Sequence, residues 1–263
     1  MIDFEIPEET KLVRNIVREF VHDVCIPAEK GLTVDTYEEI LSELRQKARA
    51  KGLWCPFFPV EWGGMGLKPL ANALVQMELG ESILGALALN TQGPDDATMM
   101  TLLHHGTEYQ HEAFLKPLVA GEKRVCYAMT EKGGGADATG MKTTAVEDGD
   151  NYVLNGDKWY ISSANVADIA VVMAKTDPDA PRHQQFSTFI VELPNSGFKI
   201  LRNIDTMHRH TPLGERLGAA HCEIEIKNLI VPKANLLGGR GQGFNMGQHR
   251  LGYGRLRHGM HNI

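Results

Sequence analysis

The chain has 263 residues, 43% of them hydrophobic and 23% charged, with a formal net charge of −6. That is the composition of a soluble globular protein, long enough for one large domain or two smaller ones with substantial cores. The negative balance removes the basic footprint of a nucleic-acid or anionic-membrane binder, so neither partner is expected.

Cys25, Cys55, Cys126 and Cys222 are widely spaced, with no Cys-x-x-Cys pair and no histidine at zinc-ligand spacing. They read as reduced thiols. The N-terminus lacks the basic and apolar regions of a leader, and no stretch is apolar over a membrane-spanning length, so the expected location is cytoplasmic.

Residues 8–24 put Leu12, Val13, Ile16, Val17, Phe20, Val21 and Val24 on one face of a predicted helix, which Pro27 is expected to end. A second helix follows over 36–50, with Ile40, Leu41, Leu44 and Ala48 inward and Gly52 at its end. The loop 53–67 is so rich in large apolar residues that it must be packed. Pro69 opens a helix with Leu70, Ala73, Leu74 and Met77 at helical spacing; more helix is expected over 81–89, until Gly93-Pro94. Asp95 and Asp96 can cap a helix over 97–105. Thr107 and Gln110 form a capping-box pair for the next helix, through Leu118.

From Arg124 the pattern becomes extended. Residues 125–129 are β-compatible, and the run 152–161 holds Asn155-Gly156 between two strand-like arms, which predicts a hairpin turn there. Further strands are expected over 169–174, 186–193, 198–201 and 222–226, and helix resumes near Gly243-Phe244. This order predicts an all-α domain, then a β-barrel or sandwich, then the start of another helical domain, an α+β multidomain chain rather than alternating βαβ units.

The stretch Tyr127–Asp137 leaves its strand through Gly133-Gly134-Gly135. Consecutive glycines let backbone N–H groups converge on an anion, so a phosphate cradle and a plain turn are both open. A dinucleotide fingerprint is not, because it needs a helix directly after its glycines and residues 143–149 carry no helical period. His104-His105 and His208-Arg209-His210 have neither the spacing nor the carboxylate company of a metal site and read as surface or loop histidines.

Tyr127-x-Met129-Thr130-Glu131-x-Gly133-x-Gly135-x-Asp137, Asn155-Gly156-x-Lys158-Trp159-Tyr160-Ile161-Ser162, Val231-Pro232, Gly241-x-Gly243-Phe244 and Arg255 together resemble the acyl-CoA dehydrogenase family. Glu61-Trp62-Gly63-Gly64-Met65-Gly66 and Gly106-Thr107-Glu108 through Gly121 resemble its N-terminal helical domain. The resemblance implies an N-terminal α-helical domain over 1–123, a middle β-barrel that binds flavin over 124–236, and the start of a C-terminal helical bundle over 237–263.

It also implies FAD as cofactor, with Tyr127, Met129 and Thr130 at the isoalloxazine ring, Gly135 and Ala136 by the pyrophosphate, Tyr160 packed on the flavin and Ser162 reaching its N5 edge. Ala136 and Arg255 fall at substrate-binding positions. The family usually has serine at Ala136, proline at Lys132, tryptophan at Tyr160 and threonine at Ser162. The implied reaction is α,β-dehydrogenation of an acyl-CoA thioester by a homodimer or homotetramer, with electrons passed to an electron-transfer flavoprotein. The run 250–258 looks closest to a subgroup handling long or substituted acyl chains, and Arg250, Arg257 and His258 read as surface.

The family's base is a glutamate. One of its two locations is Gly254 here; the other is expected beyond Ile263, as in an N-terminal part of a longer enzyme. The alternatives are a non-catalytic flavin- or CoA-binding or assembly module, and a flavin oxidase or monooxygenase of the same fold.

Overall fold

The computed structural model describes residues 5–206 and 211–261, so His208, Arg209 and His210 lie outside the described residues. The chain forms two compact units, Met1–Asp96 with Gly252–Ile263, and Ala97–Leu251.

In the first unit α1 (Glu8–Phe20) does not stop at Pro27 but continues through a π turn, Val21–Cys25, into Ile26–Glu29. At Ile26 the backbone N–H bonds five residues back, to Val21 O. That wider turn loosens the ladder just where Pro27 has no N–H to give. Val17, Phe20 and Val21 are buried, whereas Leu12 and Ile16 remain exposed. After α2 (Tyr37–Ala50) the apolar loop packs as expected, burying Leu53, Trp54, Cys55 and Phe58, with the Arg49 guanidinium 3.6 Å from the Trp54 ring centre.

The inner face of α3 (Pro69–Leu79) differs from the expected one. Ala71, Leu74, Val75 and Leu79 are buried, and Leu70 is exposed. Glu78 shares the buried face and decides the rotation. A buried carboxylate needs cations, and Arg14 and Arg18 of α1 reach it at 2.5 and 2.8 Å. Burial would raise the Glu78 carboxyl, but the two guanidinium groups hold it below the ordinary carboxylate range. The helix expected over 81–89 shrinks to Gly85–Ala88.

Helix α4 (Asp95–His105) has Asp95 and Asp96 inside its first turn rather than before it, and Met99 and Met100 in the core. The Thr107/Gln110 capping box forms. The Gln110 amide goes further, donating to Ala234 O and Leu236 O at 2.7 and 2.9 Å.

Among the described residues, eight strands dominate the second unit: β1 (Val125–Ala128), β2 (Thr144–Asp148), β3 (Asn151–Ser162), β4 (Ile169–Lys175), β5 (Phe186–Glu192), β6 (Phe198–Asn203), β7 (His221–Pro232) and β8 (Leu236–Leu237). Their order is β6-β7-β3-β2-β4-β5-β8, with β1 parallel to β4. One core cluster draws Cys126, Ala145, Leu154, Val172, Phe189, Phe198 and Ile224 from β1 to β7, so the sheet curls around its own apolar face. Helix α5 (Gly243–His261) follows.

Asn155-Gly156 is not the hairpin turn. The turn is Gly149-Asp150, between the paired residues Asp148 and Asn151, with Gly149 at φ +55°. Gly in the first central position suits a two-residue hairpin loop. Gly156 instead lies mid-strand, beside a register shift whose extra residue is on β7, where Asn228 (φ +48°) donates its N–H to Asn155 Oδ1. A second shift adds a residue on β3 at Trp159-Tyr160.

The four cysteines are buried thiols, none joined in a disulfide. Burial pushes the Cys25 thiol up to about 12 and those of Cys55 and Cys222 to about 11, which makes them poor nucleophiles. Among the described residues, no helix is long and apolar enough to cross a membrane.

Candidate functional site

The two motif segments meet through their backbones. Trp159 N–H donates to Thr130 O at 2.8 Å, joining the end of Tyr127–Thr130 to the bulge that carries Tyr160. Directly beneath lies a buried ion pair. Lys158 Nζ, with no exposed side-chain surface, contacts Glu131 Oε1 and Met129 O at 3.0 Å each. Glu131 also accepts Lys142 N–H at 2.5 Å and Thr143 N–H at 2.9 Å. The pair therefore ties both ends of the 132–141 loop to β3.

Neither Glu131 nor Lys158 is among the site residues expected from the motifs. An inward lysine in a strand beside a motif glutamate was the available signal. Burial and the Lys158 charge act oppositely on Glu131, and the lysine with the Lys142 and Thr143 donors wins, holding the carboxyl low. Burial pushes the Lys158 ammonium down against the pull of Glu131.

A depressed Glu131 value means that the unfolded chain binds more protons just below its ordinary 4.5. The stabilisation is fully present above 4.5 and is lost as pH falls through the lower folded-state value. Urea unfolding from pH 6 downward, taken at about half-unit steps, is expected to lose stability over this range. Glu131→Gln should remove part of that slope; an unchanged slope would contradict the assignment.

Tyr160 has φ +55°, an uncommon conformation for a bulky residue, and the residue is 46% exposed. The bulge turns this aromatic out of the sheet instead of into the core. Next to it, the Trp159 ring centre has Lys132 Nζ at 4.8 Å and Arg202 Cζ at 5.4 Å. Both cations also pair with Glu223, whose side chain is nearly buried. Ser162 Oγ lies 2.9 Å from His221 Nδ1, and the His221 ring lies 6.3 Å from that of Tyr160.

The glycine stretch is open to solvent at Gly133, Gly135 and Ala136. A Cβ added to Gly133 or Gly135 would meet no atom within 4 Å, and neither has positive φ. Packing within the protein therefore does not require glycine at either position. Asp137 orders the turn by accepting from Thr139 N–H and Oγ1 at 3.0 and 2.5 Å and from Arg182 at 2.7 Å.

Tyr127 faces a cluster of Met141, Met173 and Phe186, along with Met129. The Arg250 guanidinium covers its ring at 4.0 Å and donates to Thr98 Oγ1 at 3.2 Å, so Arg250 is not simply a surface residue. Gly254 and Arg255 lie on α5, with Arg255 exposed. His104 and His105 end α4 instead of lying in a loop, His104 exposed as expected and His105 partly buried, and they meet His249 with ring centres 5.6 and 5.7 Å away. Among the described residues, no group of three or more His, Cys, Asp or Glu side chains is arranged to hold a metal ion.

The family description "Acyl-CoA dehydrogenase, N-terminal domain" matches residues 7–122, and "Acyl-CoA dehydrogenase, middle domain" matches residues 126–229. The chain belongs to the acyl-CoA dehydrogenase family. It is 34% identical over 274 residues to acyl-CoA dehydrogenase family member 10 of Mus musculus, covering 98% of this chain and 25% of that protein. It is 33% identical over 255 residues to the caffeyl-CoA reductase-Etf complex subunit CarC of Acetobacterium woodii, covering 95% of this chain and 63% of that one.

Among solved structures, an acyl-CoA dehydrogenase complexed with FAD from Bacillus anthracis superposes with a TM-score of 0.76 at 28% identity, covering 99% of this chain and 42% of the other. This acyl-CoA dehydrogenase family chain thus spans only part of its relatives' length. Its helical region followed by a β-sheet region is the family's flavoprotein dehydrogenase fold.

Proposed function

We propose that the chain binds FAD on the surface formed by Tyr127–Ala136 and Tyr160–Ser162. The observation that carries this reading is the Trp159 N–H to Thr130 O bond, which joins the bulge carrying the exposed Tyr160 to the segment that leads into the open glycine backbone. The groups present fit the cofactor: exposed glycine backbone at Gly133 and Gly135 for an anion, an aromatic face for a flat ring, and a hydroxyl at Ser162. Met129 and Thr130 would contribute backbone groups to the ring site, and Tyr127 supports it from below. Bound flavin would supply a two-electron hydride acceptor.

The whole protein, on this reading, removes hydrogen from the α and β carbons of an acyl-CoA thioester and passes electrons to an electron-transfer flavoprotein. The FAD-bound structure and the Etf-complex relative support these choices. Removal of the α-proton needs a carboxylate, and Gly254 provides none. Ala136 leaves its substrate-facing position without a hydroxyl, and Arg255 remains a candidate for substrate anions.

FAD titrated into the purified chain should lose fluorescence with a one-to-one endpoint, and Tyr160→Ala should weaken binding about tenfold by removing the stacking face, worth about 1 kcal/mol or more. A folded wild-type chain that leaves free FAD fluorescence unchanged would overturn the reading in favour of a non-flavin assembly module.

A further inference from the structure

Serine at position 162 sets a problem that its neighbour addresses. A β-branched threonine there would restrict its own χ1, whereas serine rotates freely and its hydroxyl needs an external restraint. His221 is the residue directly opposite on β7, and its Nδ1 lies 2.9 Å from Ser162 Oγ. The same strand pair is pinned one residue further on, where Ser163 N–H donates to Ala220 O at 2.9 Å.

We propose that His221 is a positioning residue that fixes the Ser162 rotamer for flavin binding. With Nδ1–H donating to Ser162 Oγ, the serine's own proton is free to point away from the sheet toward an acceptor such as flavin N5. With Nδ1 unprotonated, Ser162 would spend that proton on the histidine. The positive φ of Tyr160 places its ring over the same corner, so the aromatic and the hydroxyl present one surface. The inference rests on the flavin reading above.

The test is FAD titration of the purified chain, followed by flavin fluorescence, in wild type, His221→Ala, His221→Asn, Ser162→Thr and the Ser162→Thr/His221→Ala pair. His221→Ala should weaken FAD about fivefold, the value of one hydrogen bond. His221→Asn, whose amide can occupy the Nδ1 position, should stay within about twofold of wild type. In the Ser162→Thr background the loss of His221 should also cost less than about twofold, because threonine restrains itself.

Equal losses in the serine and threonine backgrounds would assign His221 a merely structural role and overturn the inference, as would no loss in His221→Ala or a full loss in His221→Asn. Those outcomes leave wild-type FAD binding intact. A wild-type chain that binds no FAD would instead overturn the flavin reading, and this inference with it.

Discussion

Replacing Lys158 by methionine is expected to lower the unfolding free energy by about 3–5 kcal/mol, the cost of stranding a buried charge. The loss would fall on Glu131, whose side chain is only 5% exposed and would keep two backbone donors but no cation. A domain is held by roughly 5–15 kcal/mol in all, so the variant would be marginal near 37 °C. Lys158→Met combined with Glu131→Gln removes the charge and keeps one acceptor oxygen, for either Lys142 or Thr143 N–H, and should recover at least about half of the deficit. Chemical denaturation of the two variants beside the wild type checks this. A single-variant loss under about 1 kcal/mol would mean that water reaches Glu131 and that the pair does not anchor the loop.

Gly156→Ala should cost about 3 kcal/mol or more, combining overpacking with a backbone conformation at φ +155° that L-residues rarely adopt. Its Cβ would stand 2.4 Å from Thr143 Oγ1 and 2.7 Å from Thr143 Cα. The second contact is backbone and cannot be relieved by a rotamer change. Thr143 would have to move, and its N–H is one of the two holding Glu131. The damage should therefore spread to the 132–141 loop, as faster proteolysis within it as well as a lower midpoint of unfolding. Gly149→Ala offers a comparison: φ is positive but no atom lies within 4 Å of its Cβ, so only the backbone penalty of about 1 kcal/mol applies.

Local chemistry made much of the fold readable. The Thr107/Gln110 box, Pro69 at a helix start, the packed loop 53–67 and the change to extended structure after Arg124 depend on neighbours a few residues away. Most of the errors arose where distant groups decide. Helix α3 is rotated by arginines some sixty residues earlier in the chain, whereas Pro27 is passed through a local π turn that the apolar period does not reveal. Asn155-Gly156 has strong turn chemistry, yet Thr143 and Asn228 hold it in a continuous strand. Arg250 read as a surface cation because the Tyr127 ring beneath it is brought there only by folding.

From the sequence alone, the order of helices, strands and further helix could be read, as could the residues of the two motifs, because period, turn chemistry and short spacing are properties of the chain itself. The tertiary structure decided how those motifs are presented. A bulge turns Tyr160 outward, a buried lysine and glutamate tie the glycine loop to β3, and cross-strand register sets His221 opposite Ser162. Each depends on burial and register between segments distant in sequence, where desolvation and steric exclusion outweigh local preference.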